Sequence, residues 1–443
     1  MTAPRRVLLV SPRCDPEPPS AEPIGGGPIS VRLVAQALVD ADVDVRVLSF
    51  VRGRPRSDER LDGVPVTRLP IRPLWPAAPL AWRDWLYREI ARGLEGFVAE
   101  WPPDLLHAFG GRAVVGVAAV AERTGRPFVV TVNGPVLFCP TGVGRDRAGR
   151  DCLGCRGRQR WRGIMDWRGA GGAGTKMRAV LFWLYSHPHM ARVARSLRRA
   201  ARLLPVSHGL AHDLVRLGHP PSRVHVVHNP LRVPSRIPDD ARAALGLPAG
   251  VRVLLYAGRL AEEKGVQNVL RVMPSLPDTV LVVIGQGRYG SALKRDAAAL
   301  GVDARVRFLG ELPNAALGPY YATADVVIMA GVFYEALGRM LMEACAHGAA
   351  VIGTRVGGIP DVIEDGRNGY LLETQDPAEL RSRIRAILDP PARARQMGEY
   401  GRAKMAREFS PAACAAALAS VYRSVCDPLP DGIAPARPTE GVR

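Results

Sequence analysis

Residues Gly331 to Asp361 read GVFYEALGRMLMEACAHGAAVIGTRVGGIPD. Glu335 lies in a turn-like segment. Gly338 follows it and opens a helical run in which Met340, Leu341, Ala344 and Cys345 share one face. Glu343 stands eight residues after Glu335. A short apolar strand, Ala350–Gly353, and a glycine turn, Gly357-Gly358, come next.

The layout suggests chemistry by itself. A helix opening at Gly338 leaves its first backbone N–H groups without intrahelical partners. Those groups and the helix dipole favour a phosphate there. Gly338 has no Cβ, so an anion can approach the backbone closely. Glu343, one turn into the helix, suits a pair of sugar hydroxyls. Glu335, just before the helix, reaches whatever lies beyond the phosphates. Sugar, diphosphate and ribose in a row describe a nucleotide sugar. An amphipathic helix with two surface glutamates would read the same, and this stretch alone does not separate the two.

Glu335, seven intervening residues, Glu343 and then HGAAVIGTRVGGIPD resemble the signature of the retaining glycosyltransferases of family 4, which have the two-domain GT-B fold. The resemblance implies that Glu335 contacts the donor sugar. It places the backbone of Gly338, Arg339 and Met340 on the diphosphate and Glu343 on the ribose. Asp361 stands where the family usually has Glu.

The remaining sequence bounds the reading. A chain of 443 residues is long enough for two domains. No apolar run approaches the roughly 20 residues that span a bilayer. Val7–Val10 is too short for a signal peptide, so a cytoplasmic monomer is expected. The seven cysteines are then thiols or ligands rather than disulfides. A net charge of +18 suits nucleic acid, anionic lipid or phosphorylated substrates. Arginine is scattered along the whole chain, however, which equally suits a basic composition with no special partner. A nucleic-acid-binding protein explains none of the motifs, and no nucleic acid is expected.

Arg6–Val10 reads as a first strand, and a loop ending in Gly25-Gly26-Gly27 leads to a helix over Ile29–Leu38. These late, contiguous glycines do not follow the dinucleotide-binding spacing. In family 4 the matching loop lines the cleft near the donor phosphate, which nominates Gly26 and Gly27. Strands are expected at Val43–Phe50, Val64–Leu69 and Phe128–Val132, with a helix over Trp82–Glu100. His107 closes the strand Leu105–His107 and resembles a family histidine at that strand end, a candidate for acceptor or sugar contact. Asn133 departs from the family, whose usual histidine there touches the donor sugar and supports catalysis. Asparagine hydrogen-bonds but does not change charge near neutral pH.

Cys139, Cys152 and Cys155 form one C-x-x-C with a third cysteine upstream. Buried or structural thiols are the first reading. A structural zinc with His187, His189 or Cys14 as fourth ligand is the alternative. Residues 156–204 mix twelve Arg or Lys with Trp161, Trp167, Phe182, Trp183 and Tyr185. That mixture suits peripheral contact with anionic lipid, or an acceptor-side helix pair with a solvated basic face.

Arg259 and Lys264 follow the apolar strand Val251–Ala257 and resemble the family's "G-R-L … K-G" motif. Two cations at a strand end neutralise the charge that grows on a diphosphate leaving group. The expected architecture is α/β, two Rossmann-like domains facing each other across a cleft. Residues 1–229 form the acceptor side, 230–248 the linker and 249–410 the nucleotide-sugar domain. A helix at 411–426 packs back on the first domain, and 427–443 is a disordered tail. The expected activity is transfer from a nucleoside diphosphate sugar, with UDP as the expected nucleotide, to an acceptor hydroxyl with retention and without a catalytic metal or cofactor. The acceptor is a saccharide, a lipid-linked saccharide or a small molecule. The catalytic set is Arg259, Lys264 and Glu335, and the donor set Gly26, Gly27, Asn133, Gly338, Arg339, Met340 and Glu343. A nucleotide-sugar epimerase on the same fold, or a donor-binding protein with weak catalysis, are the alternatives.

Overall fold

The computed structural model describes residues 6–11, 26–52, 54–71, 82–142, 144, 152–153, 157–168, 173–234, 236, 242–243, 245–247, 250–331, 333–390 and 392–426. Short strands of almost unbroken apolar residues alternate with helices throughout, the pattern of parallel sheets covered on both faces. The first half runs β1 (Arg6–Val10), α1 (Gly26–Val39), β2 (Asp44–Arg52), β3 (Ser57–Leu61), β4 (Val64–Ile71), α2 (Trp82–Glu100), β5 (Leu105–Phe109), α3 (Gly111–Thr124), β6 (Phe128–Val132), α4 (Gly157–Arg168), α5 (Ala173–Arg199), β7 (Arg202–Pro205) and α6 (His208–Arg216). The second runs β8 (Arg252–Ala257), α7 (Val266–Val272), β9 (Thr279–Ile284), α8 (Gly290–Ala299), β10 (Val306–Gly310), α9 (Gly318–Thr323), β11 (Val326–Met329), α10 (Arg339–Ala346), β12 (Ala350–Thr354), α11 (Ile359–Val362), β13 (Gly369–Leu372), α12 (Pro377–Leu388), α13 (Arg393–Glu408) and α14 (Pro411–Cys426).

The first sheet has the order β3-β4-β2-β1-β5-β6-β7 and the second β10-β9-β8-β11-β12-β13. Setting β3 aside, both follow the 3-2-1-4-5-6 order of a doubly wound nucleotide-binding sheet. Each then has its switch point beside its first strand, between β1 and β5 and between β8 and β11. Ligands of such sheets bind outside the carboxyl ends of the strands at that point. The core agrees: Leu8, Leu106, Val130, Leu254, Val282 and Ile352 are all buried on their sheets. No helix among the described residues is long and apolar enough to cross a membrane.

Three local expectations change. Helix α1 starts at Gly26, not Ile29, so Gly26 and Gly27 form its first turn rather than a loop. Pro28 is tolerated there because N–H groups of a first turn have no helical acceptor in any case. Gly25, Cys14, Cys155 and the tail 427–443 lie outside the described residues. The polar strand β3 was not anticipated. It pairs antiparallel with β4 across Asp62 and Gly63, both at positive φ, the hairpin signature of an Asp-Gly pair.

The third change concerns His107. Strand β5 continues two residues past it, so His107 sits mid-strand between Leu9 and Val129. Its side chain is fully buried. Nδ1 faces the Tyr422 hydroxyl at 2.6 Å and Nε2 the Thr131 hydroxyl at 2.6 Å. It therefore anchors α14 to the first sheet and does not reach the cleft as an acceptor contact. Helix α14 does cross back to the first domain, where it packs on α1.

Burial pushes the His107 imidazole down from its ordinary 6.5 to about 3. The unfolded chain takes up a proton below its ordinary value and the fold does not. Stability is therefore complete above about pH 6.5 and declines as the pH falls toward 3, by about 1.4 kcal/mol per pH unit for this one group. Urea midpoints measured from pH 7 down to pH 4 are expected to show that decline, and a His107→Gln variant a shallower one.

Candidate active site between the domains

The carboxyl ends of β8 and β11 carry the predicted cations and Glu335. After β8 the chain makes a tight turn through Lys264 and Gly265, which has φ 80°. A Cβ on Gly265 would lie 2.2 Å from the Ala330 carbonyl oxygen, and one on Gly331 2.3 Å from that of Glu263. Asn268 locks the same contact by donating to the Ala330 carbonyl at 2.8 Å. The Lys264 turn and the exit of β11 are thus in backbone contact. Lys264 Nζ consequently reaches Glu335 Oε2 at 2.8 Å. It also lies 4.2 Å from the centre of the Phe333 ring.

Arg259 is more open, with 62% of its side chain exposed. Its Nη2 is 3.3 Å from Glu263 Oε1, and Arg288 Nη2 is 3.5 Å from the other oxygen of the same carboxylate. Glu263 itself is buried. Arg288 is a cation that sequence reading missed. Its signal was present, since it follows Gly285-Gln286-Gly287 after a strand, as Arg259 follows Gly258.

Gly338 caps α10 with φ 78°, a conformation that favours glycine. Arg339 and Met340 are the first two helical residues, so their N–H groups have no intrahelical acceptor. The Met340 sulfur accepts from the Ala257 N–H at 3.1 Å, which ties the start of α10 to the end of β8. Glu343 is buried one turn later. It accepts from Tyr321 Oη at 3.1 Å and from Arg339 Nε at 3.0 Å. Burial first, and then the Glu343 carboxylate, hold the Tyr321 phenol well above its ordinary range. Tyr321 is a second residue that sequence reading missed, and it had no sequence signal.

A cavity of about 320 Å³ opens between the domains. Ile29, Arg32 and Leu33 of α1 line one wall, and Tyr321, Arg339 and Glu343 the other. A larger groove, about 1040 Å³, is lined by Asp104, Glu122, Arg126 and Arg199. It lies at the amino ends of β5 and β6, away from both switch points.

The first domain meets Glu335 through β6 and α6. Asn133 follows β6 and accepts from Asn229 Nδ2 at 3.0 Å. A Cβ on Gly134 would sit 3.8 Å from Ala336 Cβ. The Tyr334 hydroxyl donates to Asp213 of α6 at 2.6 Å, and both side chains are buried. Of the predicted set, Arg259, Lys264, Glu335, Gly338, Arg339, Met340 and Glu343 gather at one strand end of the second sheet. Asn133 faces them, and α1, which begins with Gly26 and Gly27, borders the same cleft. His107 stands apart.

Of the predicted cysteine set, Cys139 is buried, with its sulfur 3.2 Å from Thr141 Oγ1 and 3.4 Å from the Gly144 N–H. His187 contacts Arg160 at 2.9 Å, and His189 contacts the Tyr87 hydroxyl.

Residues 25–230 match the family model of the glycosyl transferase 4-like domain, and residues 238–404 that of glycosyl transferases group 1. A D-inositol 3-phosphate glycosyltransferase 2 of Catenulispora acidiphila is 34% identical over 246 residues, 52% of this chain and 57% of that protein. The chain spans about half the length of the D-inositol 3-phosphate glycosyltransferases it matches. A glycogen synthase of Mycobacterium tuberculosis is 27% identical over 436 residues, 94% of each chain. Among solved structures, Anabaena HepE in complex with UDP-glucose superposes with a TM-score of 0.64 at 19% identity, over 95% of this chain and 99% of that one. At that identity the likeness is one of fold.

Gly265→Ala tests the backbone contact that aims Lys264. Its positive φ and the clash with Ala330 are expected to cost more than about 1 kcal/mol of stability. Nucleotide-sugar affinity should also fall, although every charged side chain remains. Urea denaturation and a thermal-shift titration read the two effects.

Proposed function

The chain belongs to the family 4 glycosyltransferases of the GT-B fold, and on that premise we propose that it moves a sugar from a nucleoside diphosphate donor to an acceptor hydroxyl with retention of configuration. One observation carries the reading. Lys264 and Glu335 form a 2.8 Å pair at the switch point, with the Gly338 helix end and Glu343 next along the chain.

The diphosphate lies against Arg259, Lys264 and the N–H groups of Arg339 and Met340. These donors neutralise charge as the bond to the sugar breaks, which is where fixed electrostatics contribute most. Glu335 holds the sugar and Glu343 the ribose hydroxyls. The leaving phosphate helps to remove the acceptor proton, so no dedicated base is assigned. UDP is the proposed nucleotide of the donor, in line with the UDP-glucose complex of HepE. The proposed acceptor is a saccharide or a polyol such as an inositol phosphate, after the names of the relatives. Asn133 favours a second reading, a donor-binding protein with weak catalysis.

Thermal-shift screening against UDP-, GDP-, ADP- and dTDP-sugars is expected to give one clear hit that is lost in Glu343→Ala. At 100 times its Kd a donor adds about 2.7 kcal/mol of apparent stability. Glu335→Ala should keep much of that shift and lose about 100-fold or more of turnover. A Glu335→Ala variant with unchanged turnover, or a wild type that binds donor without turnover, would leave only the second reading.

Peripheral membrane contact is proposed for α4 and α5. Met177, Leu181 and Leu184 lie on one face of α5 with 60%, 44% and 47% of their surface exposed. Arg158, Arg162 and Lys176 are exposed on the same helix pair. An apolar stripe among cations suits an anionic interface. Cosedimentation with anionic vesicles at low salt should be strong for the wild type. It should weaken with added salt and in the triple variant Met177→Gln, Leu181→Gln, Leu184→Gln.

A further inference from the structure

Behind the sugar-binding loop, three side chains from two domains converge on one point. Asp361 lies in α11 of the second domain, with 5% of its side chain exposed. Its Oδ2 is 2.8 Å from His208 Nδ1 and 2.9 Å from His228 Nε2. Both histidines belong to the first domain, His208 at the start of α6 and His228 just before Asn229. The His208 N–H donates to the same oxygen at 2.9 Å. The ligand atoms of the three side chains all lie within 4.8 Å of one another.

We propose that His208, His228 and Asp361 bind a zinc ion that staples the two domains together. Two imidazole nitrogens and one carboxylate oxygen, with a fourth position open to water, form a common zinc donor set. Tetrahedral zinc with bonds of about 2.0–2.1 Å sets its ligand atoms about 3.3 Å apart. The carboxylate oxygen need therefore retreat only about half an ångström from each nitrogen, while the two nitrogens, within 4.8 Å of one another, settle at the same spacing. The His228 ring is held in place by stacking on Phe409, with centroids 4.6 Å apart. The His208 side chain is 75% exposed and gives the ion an entry path and a water ligand.

The position gives the ion a role without chemistry. Asp361 lies three residues after Gly358, whose N–H donates to the Glu335 carbonyl at 2.8 Å. An ion tying Asp361 to two residues of the first domain would fix the closed cleft around Glu335. It takes no part in bond breaking.

The test uses the full chain, stripped with a chelator and titrated with zinc chloride. Bound metal is read by elemental analysis after desalting, and affinity by competition with a chromogenic chelator. One zinc per chain is expected, with a rise in melting temperature. His208→Ala should fold normally, because its side chain is exposed, and should bind zinc at least about tenfold more weakly. Asp361→Asn should also lose the ion, and Cys139→Ser with Cys152→Ser should keep it. The proposal is overturned if the stripped wild type takes up no zinc. It is equally overturned if His208→Ala and Asp361→Asn bind zinc as the wild type does, or if the cysteine variant loses it. In those cases the three residues form a hydrogen-bonded clasp only.

Discussion

The two domains meet backbone to backbone, and that contact governs the site. A Cβ on Gly209 of the first domain would lie 2.1 Å from the Gly357 carbonyl oxygen. One on Gly357 would lie 2.1 Å from that of Glu335, and one on Gly358 2.1 Å from that of Ala336 and 2.6 Å from Ser207 Cβ. No side chain fits at any of these three positions without moving a main chain. The loop of Glu335 is therefore packed between its own turn and the start of α6. Close-packed backbone has few alternative arrangements, so the carboxylate is aimed before any ligand arrives.

Charge follows from this geometry. Glu335, Glu343 and Glu263 are each at least partly buried, and each has a cation beside it: Lys264, Arg339, and Arg259 with Arg288. Ion pairs removed from water recover little net free energy, because desolvation offsets attraction. The pairs are better understood as reserving the cations at fixed places. On the proposed function, a diphosphate entering the site would replace one carboxylate partner by a more highly charged one, so the cations would not have to be collected from solvent as the leaving group departs. The net charge of +18 is spread over the chain and says less about the site than these pairs do.

Much of the site was legible because it is local. Glu335, the glycine at 338 and the cations lie in the short segments that follow β8 and β11, and Glu343 lies one turn into α10. Both sheets could be outlined for the same reason, from short apolar runs between glycine turns. What escaped is long-range. Nothing near Tyr422 in sequence points to His107, 315 positions away, and the pairing decided that His107 is an anchor. Tyr334 with Asp213, and Asp361 with His208 and His228, are likewise partners only once the domains are docked. Strand β3 escaped for the opposite reason. It is a polar edge strand with little to bury, although its Asp-Gly turn was written in the sequence.

Asn133 is where the sequence and the resemblance part, and its surroundings sharpen the difference. In the family a histidine there touches the donor sugar and supports catalysis. Here the Asn133 amide is held by Asn229 at 3.0 Å, and the nearby His208 and His228 are committed to Asp361. Neither histidine replaces the missing imidazole. Two neutral amides at the carboxyl end of β6 can fix hydroxyl groups by donating and accepting hydrogen bonds, but they cannot take up a proton near neutral pH. In the proposed reaction, proton movement at the acceptor would then fall to the departing phosphate, whose charge Lys264 and Arg259 would neutralise. On the proposed function, the asparagine would thus shift weight from the first domain to the second, leaving the first to position the acceptor and the second to stabilise the leaving group.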